Sequence, residues 1–307
     1  MRHLAVWLFA YLALLGGPAQ AVNVQFVPVA PGVFAHIGDI GPRAVANEGL
    51  NANLGLIVTS QGAILIDSGA TQRSAADIHV AIQRVTAQPV LWVINTGGQD
   101  HRWLGNAYFA AQGAQIIAHD SARADMEARG GDHLASLTAT LKDLAAGTRA
   151  VLPTRWITGA DASLVLGGVR IELRHRGGGH TPGDMLVALP NQRLVFSGDL
   201  VYVDRLLGVI PVSNTRAWLA TFAALEALAP AIIVPGHGRV TTLPVAQAQT
   251  RDYLTALRAH MKKAVDDGAD ISQAIQSFDA SRWATLQNAA ELLPGNASRT
   301  YLELERE

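Results

Sequence analysis

The sequence contains no cysteine, and neither sign of charge dominates it. Its 307 residues carry a formal net charge of -1 and no long run of like charges. This balance argues against a nucleic-acid-binding protein, which would carry a basic patch or stripe. Without thiolates, any zinc site has to use histidine, aspartate or glutamate. Apolar residues make up 49% of the chain, which predicts a globular protein with a substantial core.

Long apolar runs are also scarce, and the one clear case lies at the start of the chain, at residues 4–15. A weakly basic start precedes it, and Ala19-Gln20-Ala21 fits a small-x-small cleavage site. We therefore predict a secretory signal peptide at residues 1–21 and a periplasmic or secreted mature chain. The alternative is a membrane anchor, but the run is short for a bilayer span. The lack of thiols suits an oxidising compartment, where they would mispair.

The hydrophobic pattern predicts two successive halves that each begin with strands and end with helices. The first half has predicted strands at residues 26–30, 33–37, 54–59, 63–67, 90–95 and 115–118, and helices at 74–85 and 104–112, followed by a polar helical stretch at 121–147. The second half has predicted strands at residues 163–166, 169–173, 185–189, 194–196 and 232–234, and helices around Trp218–Leu225 and Leu254–Val265. This order predicts an α/β protein whose sheets carry helices on their outer faces.

Two glycine-bounded histidines and one aspartate stand where apolar runs end. His180 lies in Gly-Gly-His-Thr-Pro-Gly-Asp, Asp199 in Phe-Ser-Gly-Asp-Leu and His237 in Pro-Gly-His-Gly. Strand ends open at one edge of a sheet, so these side chains can converge. Two imidazoles and a carboxylate at such an edge form a zinc site with room for a water.

These motifs, in this order, resemble the metallo-β-lactamase-fold hydrolase superfamily. The matching segments are residues 65–69 (Leu-Ile-Asp-Ser-Gly), 93–96 (Val-Ile-Asn-Thr), 105–106 (Gly-Asn), 179–184 (Gly-His-Thr-Pro-Gly-Asp), 197–199 (Ser-Gly-Asp) and 235–238 (Pro-Gly-His-Gly). The resemblance implies one domain over residues 22–307, an αββα sandwich of two similar halves with metal ions at one edge. Residues 296–305 also resemble the exported branch linked to quinoprotein dehydrogenase systems, which implies a periplasmic quinoprotein partner.

The chain departs from the family at the main metal-binding motif. The family follows Asn-Thr with His-x-His-x-Asp-His before Gly-Asn, whereas residues 95–106 read Asn-Thr-Gly-Gly-Gln-Asp-His-Arg-Trp-Leu-Gly-Asn. Without a gap, Gly97 and Gln99 replace the first two histidines, His101 replaces the aspartate, and Arg102 replaces the last histidine. A one-residue slip instead restores Asp100 and His101 as the Asp-His pair. Both alignments remove the first two histidines.

The resemblance therefore implies one metal ion rather than two. The first metal position keeps only His180, which is a metal ligand or a hydrogen-bonding group for substrate. The second position can still assemble from His101, Asp199 and His237, with Asp100 as a ligand or a neighbour of one. Three protein ligands and a water are typical of catalytic zinc.

These residues support two hypotheses from different classes. The first is an exported zinc-dependent hydrolase that uses a zinc-bound water on an acyl or ester-type substrate. Asp100 would act as a catalytic residue by orienting the water, and Arg102 would bind a substrate carboxylate. Alternatively, Arg102 pairs with Asp100 in an exposed polar loop. The second hypothesis is a non-catalytic accessory protein of a periplasmic quinoprotein system, which kept the fold and lost part of the metal site.

Overall fold

A computed structural model describes residues 23–307, so the predicted signal peptide lies outside the described residues. Within that range no helix combines the length and the apolar character needed to cross a membrane. The described chain forms two β-sheets with helices on their outer faces.

The first sheet has seven strands in sequence order. They are β1 (Val27–Ala30), β2 (Val33–His36), β3 (Leu54–Val58), β4 (Ala63–Ile66), β5 (Val90–Ile94), β6 (Gln115–His119) and β7 (Arg155–Ile157). Strands β1 to β4 pair antiparallel, and β4 to β7 pair parallel. Strand β4, Ala-Ile-Leu-Ile, is buried along its whole length, as expected for a strand covered on both faces.

The second sheet has five strands in the order β12-β11-β10-β9-β8. They are β8 (Asp161–Leu166), β9 (Val169–Arg174), β10 (Leu186–Leu189), β11 (Leu194–Tyr202) and β12 (Ile232–His237). All neighbours are antiparallel except β11 and β12, which run parallel. These two strands therefore end at the same edge of the sheet.

Nine α-helices lie within the described chain. They are α1 (Gln72–Val85), α2 (Asp100–Trp103), α3 (Asn106–Ala111), α4 (Arg123–Leu141), α5 (Thr215–Leu228), α6 (Leu243–Ala246), α7 (Asp252–Asp266), α8 (Ile271–Ser277) and α9 (Ala289–Leu304). The Thr71 side chain caps α1 by accepting a hydrogen bond from Ser74 N–H. Helices α1 and α3 cover the first sheet, and α5, α7 and α9 cover the second.

The sheets pack face to face through a continuous apolar layer. Its members include Ile57, Ile64 and Ile94 from the first sheet and Leu173, Val187 and Phe196 from the second. The Phe196 ring lies so close to Gly55 that a Cβ there would approach it to 2.3 Å, so glycine permits the contact. The predicted αββα sandwich is confirmed.

The sequence pattern located most elements, but it ended two strands too early and missed one strand and four helices. Strand β11 was predicted to stop at residue 196, before Ser197-Gly198, but it continues to Tyr202. Gly198 adopts φ 50°, and the register with β12 shifts on both sides of it, so this glycine marks a bulge instead of a turn. Strand β12 likewise reaches His237. Strand β7 and helices α2, α6, α8 and α9 were not predicted.

We expect Phe196→Ala to lower the free energy of unfolding by about 3–5 kcal/mol, because it leaves a cavity between the sheets. Urea unfolding measures the loss. Val165→Ala is the control on the same sheet, since Val165 is 70% exposed and should change stability by less than about 0.5 kcal/mol. Similar losses in both variants would contradict the described packing.

Candidate metal centre

Three buried side chains from different elements converge at one edge of the sandwich. Asp199 comes from β11, His237 from the end of β12, and His101 from α2, which follows β5. One ligand atom from each lies within 4.8 Å of the others. The parallel pairing of β11 and β12 explains why Asp199 and His237 meet. The structure thus brings together the three residues that were predicted to form the second metal position.

His237 presents its Nε2 atom to Asp199. Its Nδ1 atom lies 2.6 Å from the carbonyl oxygen of Asn51, and its Nε2 lies 3.1 Å from Asp199 Oδ1. Because a carbonyl oxygen only accepts, Nδ1 must carry the proton. Burial holds the pKa of His237 well below its ordinary value, so the ring is neutral. Its Nε2 therefore points a lone pair at the carboxylate.

His101 has a similar arrangement. Its Nε2 lies 3.1 Å from Asp199 Oδ2, and its Nδ1 lies 3.3 Å from Asp100 Oδ1. Burial favours a raised pKa for Asp100, but the Arg43 guanidinium outweighs it and holds the pKa of that carboxyl well below its usual range. An ionised Asp100 holds a proton on Nδ1 of His101, which leaves Nε2 free as a ligand.

The carboxylate of Asp100 is held by Arg43. Its two oxygens lie 2.6 and 2.5 Å from the guanidinium nitrogens of Arg43. One of them also accepts a hydrogen bond from the backbone N–H of His101 at 2.7 Å. This position fits bracing of His101 better than the predicted catalytic role.

The donor set fits one divalent cation. The Nε2 atoms of both histidines face the same carboxylate, and the neutral His237 turns a lone pair toward it. Two acceptors at about 3 Å repel each other unless a proton or a cation lies between them. Burial tends to raise the pKa of Asp199, but the Arg102 guanidinium outweighs it and holds that pKa well below the usual range, so Asp199 is a carboxylate. Two His nitrogens and one Asp oxygen, each histidine braced through Nδ1, match the ligand chemistry of zinc.

Arg102 is wholly enclosed and uses every N–H of its guanidinium. Its Nε and Nη2 lie 3.2 and 2.6 Å from the oxygens of Asp199. Its Nη1 lies 3.0 Å from Asp67 Oδ2 and 3.0 Å from the carbonyl of Asn53, and Nη2 lies 3.1 Å from the carbonyl of Gly236. The residue is 1% exposed. The predicted substrate contact of Arg102 does not fit this position, because no donor is left over.

His180 lies outside the three-residue group. Its Nδ1 lies 2.8 Å from the carbonyl of Gly208, and its ring packs beside Tyr202 and Trp218. Burial lowers the pKa of His180 to about 4, so the ring is neutral and Nε2 can only accept. The alternative of a hydrogen-bonding group near the site fits this geometry better than a shared metal ligand.

The loop at Gly97 leaves no space for a side chain. A Cβ built on Gly97 would lie 2.1 Å from Asp184 Oδ1 and 3.2 Å from Thr181 Oγ1. Gly98 N–H also donates to Thr181 Oγ1 at 3.0 Å, which ties this loop to the turn at residues 181–184. A histidine side chain at position 97, as the family has it, therefore does not fit this loop.

Several residues of the centre were missed from sequence. Tyr202 stacks on His237 with ring centroids 4.7 Å apart, and burial together with the nearby Asp199 raises its pKa well above the ordinary value. Arg43 and Asn51 lie on the loop before β3, which has no periodic pattern. The only available signal was a pair of asparagines, at positions 51 and 53, beside the apolar start of β3.

Residues 47–237 match the family model described as the Metallo-beta-lactamase superfamily, and the chain belongs to that superfamily. Among curated proteins it is similar to the 2,4-dinitroanisole O-demethylase subunit alpha of Nocardioides sp. (strain JS1661). The two are 26% identical over 178 residues, which covers 57% of this chain and 49% of that protein. The chain thus spans about half the length of this relative.

Two solved structures show the same fold. A metallo-beta-lactamase from Pontibacter korlensis superposes with a TM-score of 0.59 at 21% identity, covering 76% of this chain and 99% of that one. A double mutant of the sec-alkyl sulfatase PisA1 superposes with a TM-score of 0.72 at 17% identity, covering 92% of this chain and 50% of that one. At these identities the likeness extends to the fold alone.

Asp184 makes stability depend on pH. Burial raises the pKa of Asp184 from 3.8 to about 8, so the folded state binds a proton that the unfolded state releases. Stability from this proton is present below about pH 4 and is lost as pH rises toward about 8. We expect Asp184→Asn to lose less thermal stability than the parent between about pH 5 and 8.

Thermal unfolding across that range tests the Asp184 prediction. Asp161→Asn is the control, because the Asp161 side chain is 54% exposed and should leave the parent's pH profile unchanged. Parallel profiles for the parent and Asp184→Asn would refute the prediction.

Proposed function

We propose that this protein is a metal-dependent hydrolase with one zinc ion held by His101, Asp199 and His237. Membership of the metallo-β-lactamase superfamily supports a hydrolase-type fold. The substrate would be a small molecule with an acyl or ester-type bond. Both the metal and the reaction are part of this proposal.

One observation carries the proposal. The Nε2 atoms of His101 and His237 both face Asp199 at 3.1 Å, while their Nδ1 atoms are engaged by Asp100 and by the Asn51 carbonyl. A neutral histidine whose hydrogen bonds are all formed in the core directs one nitrogen to an acceptor and the other to a donor. At His237 the proton lies on Nδ1 and the ring is neutral, so its Nε2 lone pair faces an acceptor, which favours a cation between Nε2 and Asp199.

The residues around the centre have distinct tasks in such a reaction. A bound zinc ion lowers the pKa of its water and polarises the bond under attack. Asn51 and Asp100 keep the two histidines in the ligand tautomer. His180, neutral and fixed through Nδ1, offers Nε2 as an acceptor for a proton of the water or substrate. The near-complete burial of these groups strengthens their electrostatic interactions.

The charge of Arg205 beside the centre favours an anionic substrate. Within residues 23–307, its Nε atom is buried and has no hydrogen-bond partner, whereas the guanidinium of Arg43 is paired with Asp100. Arg205 also depresses the pKa of His237 electrostatically, after the larger effect of burial, so it lies near the ligands. The relatives are named for a sulfatase and an O-demethylase, so we propose an oxygen-linked ester or ether carrying negative charge.

We expect about one zinc ion per chain after removal of metal by a chelator and dialysis against zinc. His237→Ala should lose most of the bound zinc, because two protein ligands hold zinc far more weakly than three. Elemental analysis of folded protein is the measurement, with folding checked by thermal unfolding.

His260→Ala serves as the matched control for zinc binding. His260 is partly buried and contacts the carbonyl of Ala274 through Nε2, away from the centre. This variant should bind as much zinc as the parent. A parent that binds no zinc, or a His237→Ala variant that keeps it, would refute the proposed centre.

A second candidate function is a non-catalytic accessory protein, and the enclosure of Arg102 favours it. Because the Arg102 guanidinium already pairs with Asp199, this carboxylate has a positive partner without an added cation. Hydrolysis of a panel of anionic aryl esters, sulfate esters and lactams distinguishes the two. Turnover by the zinc-loaded parent that His237→Ala lacks supports the enzyme. Zinc binding without such turnover supports the accessory role, with a periplasmic quinoprotein dehydrogenase as the proposed partner.

We also propose that the chain is exported with cleavage after Ala21. The support is the apolar run at residues 4–15 and the cleavage pattern that follows it. Intact mass spectrometry of protein from the periplasm of a bacterial host should find an N-terminus at Val22. Recovery of the chain with residues 1–21 still attached would overturn this prediction.

A further inference from the structure

The guanidinium of Arg102 is surrounded by oxygen atoms, as a bound metal ion often is. Its guanidinium lies between the carboxylates of Asp67 and Asp199, and the carbonyl oxygens of Asn53 and Gly236 complete its contacts. All of these partners are oxygen acceptors. The group therefore supplies a full positive charge at a place where two buried carboxylates meet.

The position of Arg102 in the chain matters as much as its contacts. In the ungapped alignment it stands where the family has the last histidine of its metal-binding motif. The structure places its Nη2 2.6 Å from Asp199, on the same carboxylate that His101 and His237 approach. Arg102 thus contacts one side of the Asp199 carboxylate, and the two histidines contact the same oxygens from another side.

There is no space for an ion on the side of the Asp199 carboxylate that Arg102 contacts. A Cβ built on Gly236 would lie 2.5 Å from Nη2 of Arg102 and 2.5 Å from the carbonyl oxygen of Gly198. The guanidinium is therefore packed against backbone on this side. An ion can approach Asp199 only beside His101 and His237, within a few ångströms of a permanent positive charge.

From these contacts we infer that Arg102 is a tethered cation, which takes one cation position at Asp199 and weakens the binding of a metal ion beside His101 and His237. This inference rests on the proposed zinc centre. It assigns to Arg102 the control of metal affinity, in place of the substrate contact predicted from sequence. The physical basis is repulsion between two cations that share one carboxylate in a buried site.

The test compares the zinc dissociation constants of the parent, Arg102→Gln and Arg102→Lys, measured by competition with a chromophoric chelator. Arg102→Gln removes the charge and keeps some hydrogen bonds, so zinc should bind at least about tenfold more tightly. Arg102→Lys keeps the positive charge but lacks the planar guanidinium with its paired N–H donors. Its affinity for zinc should therefore stay within about threefold of the parent's. Elemental analysis gives the number of ions, and thermal unfolding with and without zinc gives a second readout.

A further variant keeps the inference testable if Arg102→Gln fails to fold. Removing the guanidinium leaves the carboxylates of Asp67 and Asp199 without a positive partner, which is destabilising in a buried site. Combining Arg102→Gln with Asp67→Asn removes one charge of each sign and leaves the three ligands intact. This double variant should fold and should also bind zinc more tightly than the parent.

The outcomes separate this inference from the proposed function. A parent without zinc and an Arg102→Gln variant with one ion would support the inference and refute the zinc hydrolase. Equal affinities in the parent, Arg102→Gln and the double variant would overturn the inference and leave the zinc centre standing. Equal gains in the Gln and Lys variants would show that geometry, not charge, sets affinity, which also overturns it. An absence of zinc from every protein would overturn both.

Discussion

The buried ion pair between Arg102 and the carboxylates of Asp67 and Asp199 is the constraint on which this edge of the molecule depends. Asp67 directly follows β4 of the first sheet, and Asp199 belongs to β11 of the second. One guanidinium therefore joins both layers of the sandwich at the place where the candidate ligands converge. Buried charges are tolerated when each is paired and hydrogen-bonded, and here every N–H of the guanidinium has an acceptor. The position of Asp199 is consequently set before any ligand arrives.

The two candidate histidine ligands are also fixed in advance, by groups from the first half of the chain. The Asn51 carbonyl orients His237, which belongs to the second half, and Asp100 orients His101 with help from Arg43. The neighbouring Asn53 donates to the carbonyls of Pro235 and Gly238 at 2.9 and 2.7 Å. Such supports lower the cost of ordering ligands, which is how proteins preorganise metal centres. They also mean that damage to the loop before β3 reaches a strand nearly two hundred residues away.

Local patterns in the sequence were sufficient for the two strand-then-helix halves and for Asp199 and His237 as residues at strand ends. The αββα sandwich and His101 as a ligand were implied by the family resemblance. Buried strands appear as unbroken apolar runs, and Asp199 and His237 stand where such runs end. The environment of Arg102 had no local signal, since an arginine between His101 and Trp103 in a polar stretch resembles a surface residue. Its partners Asp67 and Asp199 are 35 and 97 residues distant in sequence. The roles of Arg43 and Asn51 were hidden for the same reason, and Ser197-Gly198 has the same composition whether it forms a turn or a bulge.

The bulge at Gly198 changes the parity of β11. In a regular strand, side chains alternate between faces, so residues three apart point in opposite directions. Between Phe196, paired with Val234, and Tyr202, paired with His237, β11 uses more residues than β12. This surplus cancels the alternation, so that Asp199 reaches the two histidines and Tyr202 stacks on one of them. A deletion of one residue between Phe196 and Asp199 would therefore do more than shorten a strand: it would turn the Asp199 carboxylate to the other face of the sheet, away from the two histidines.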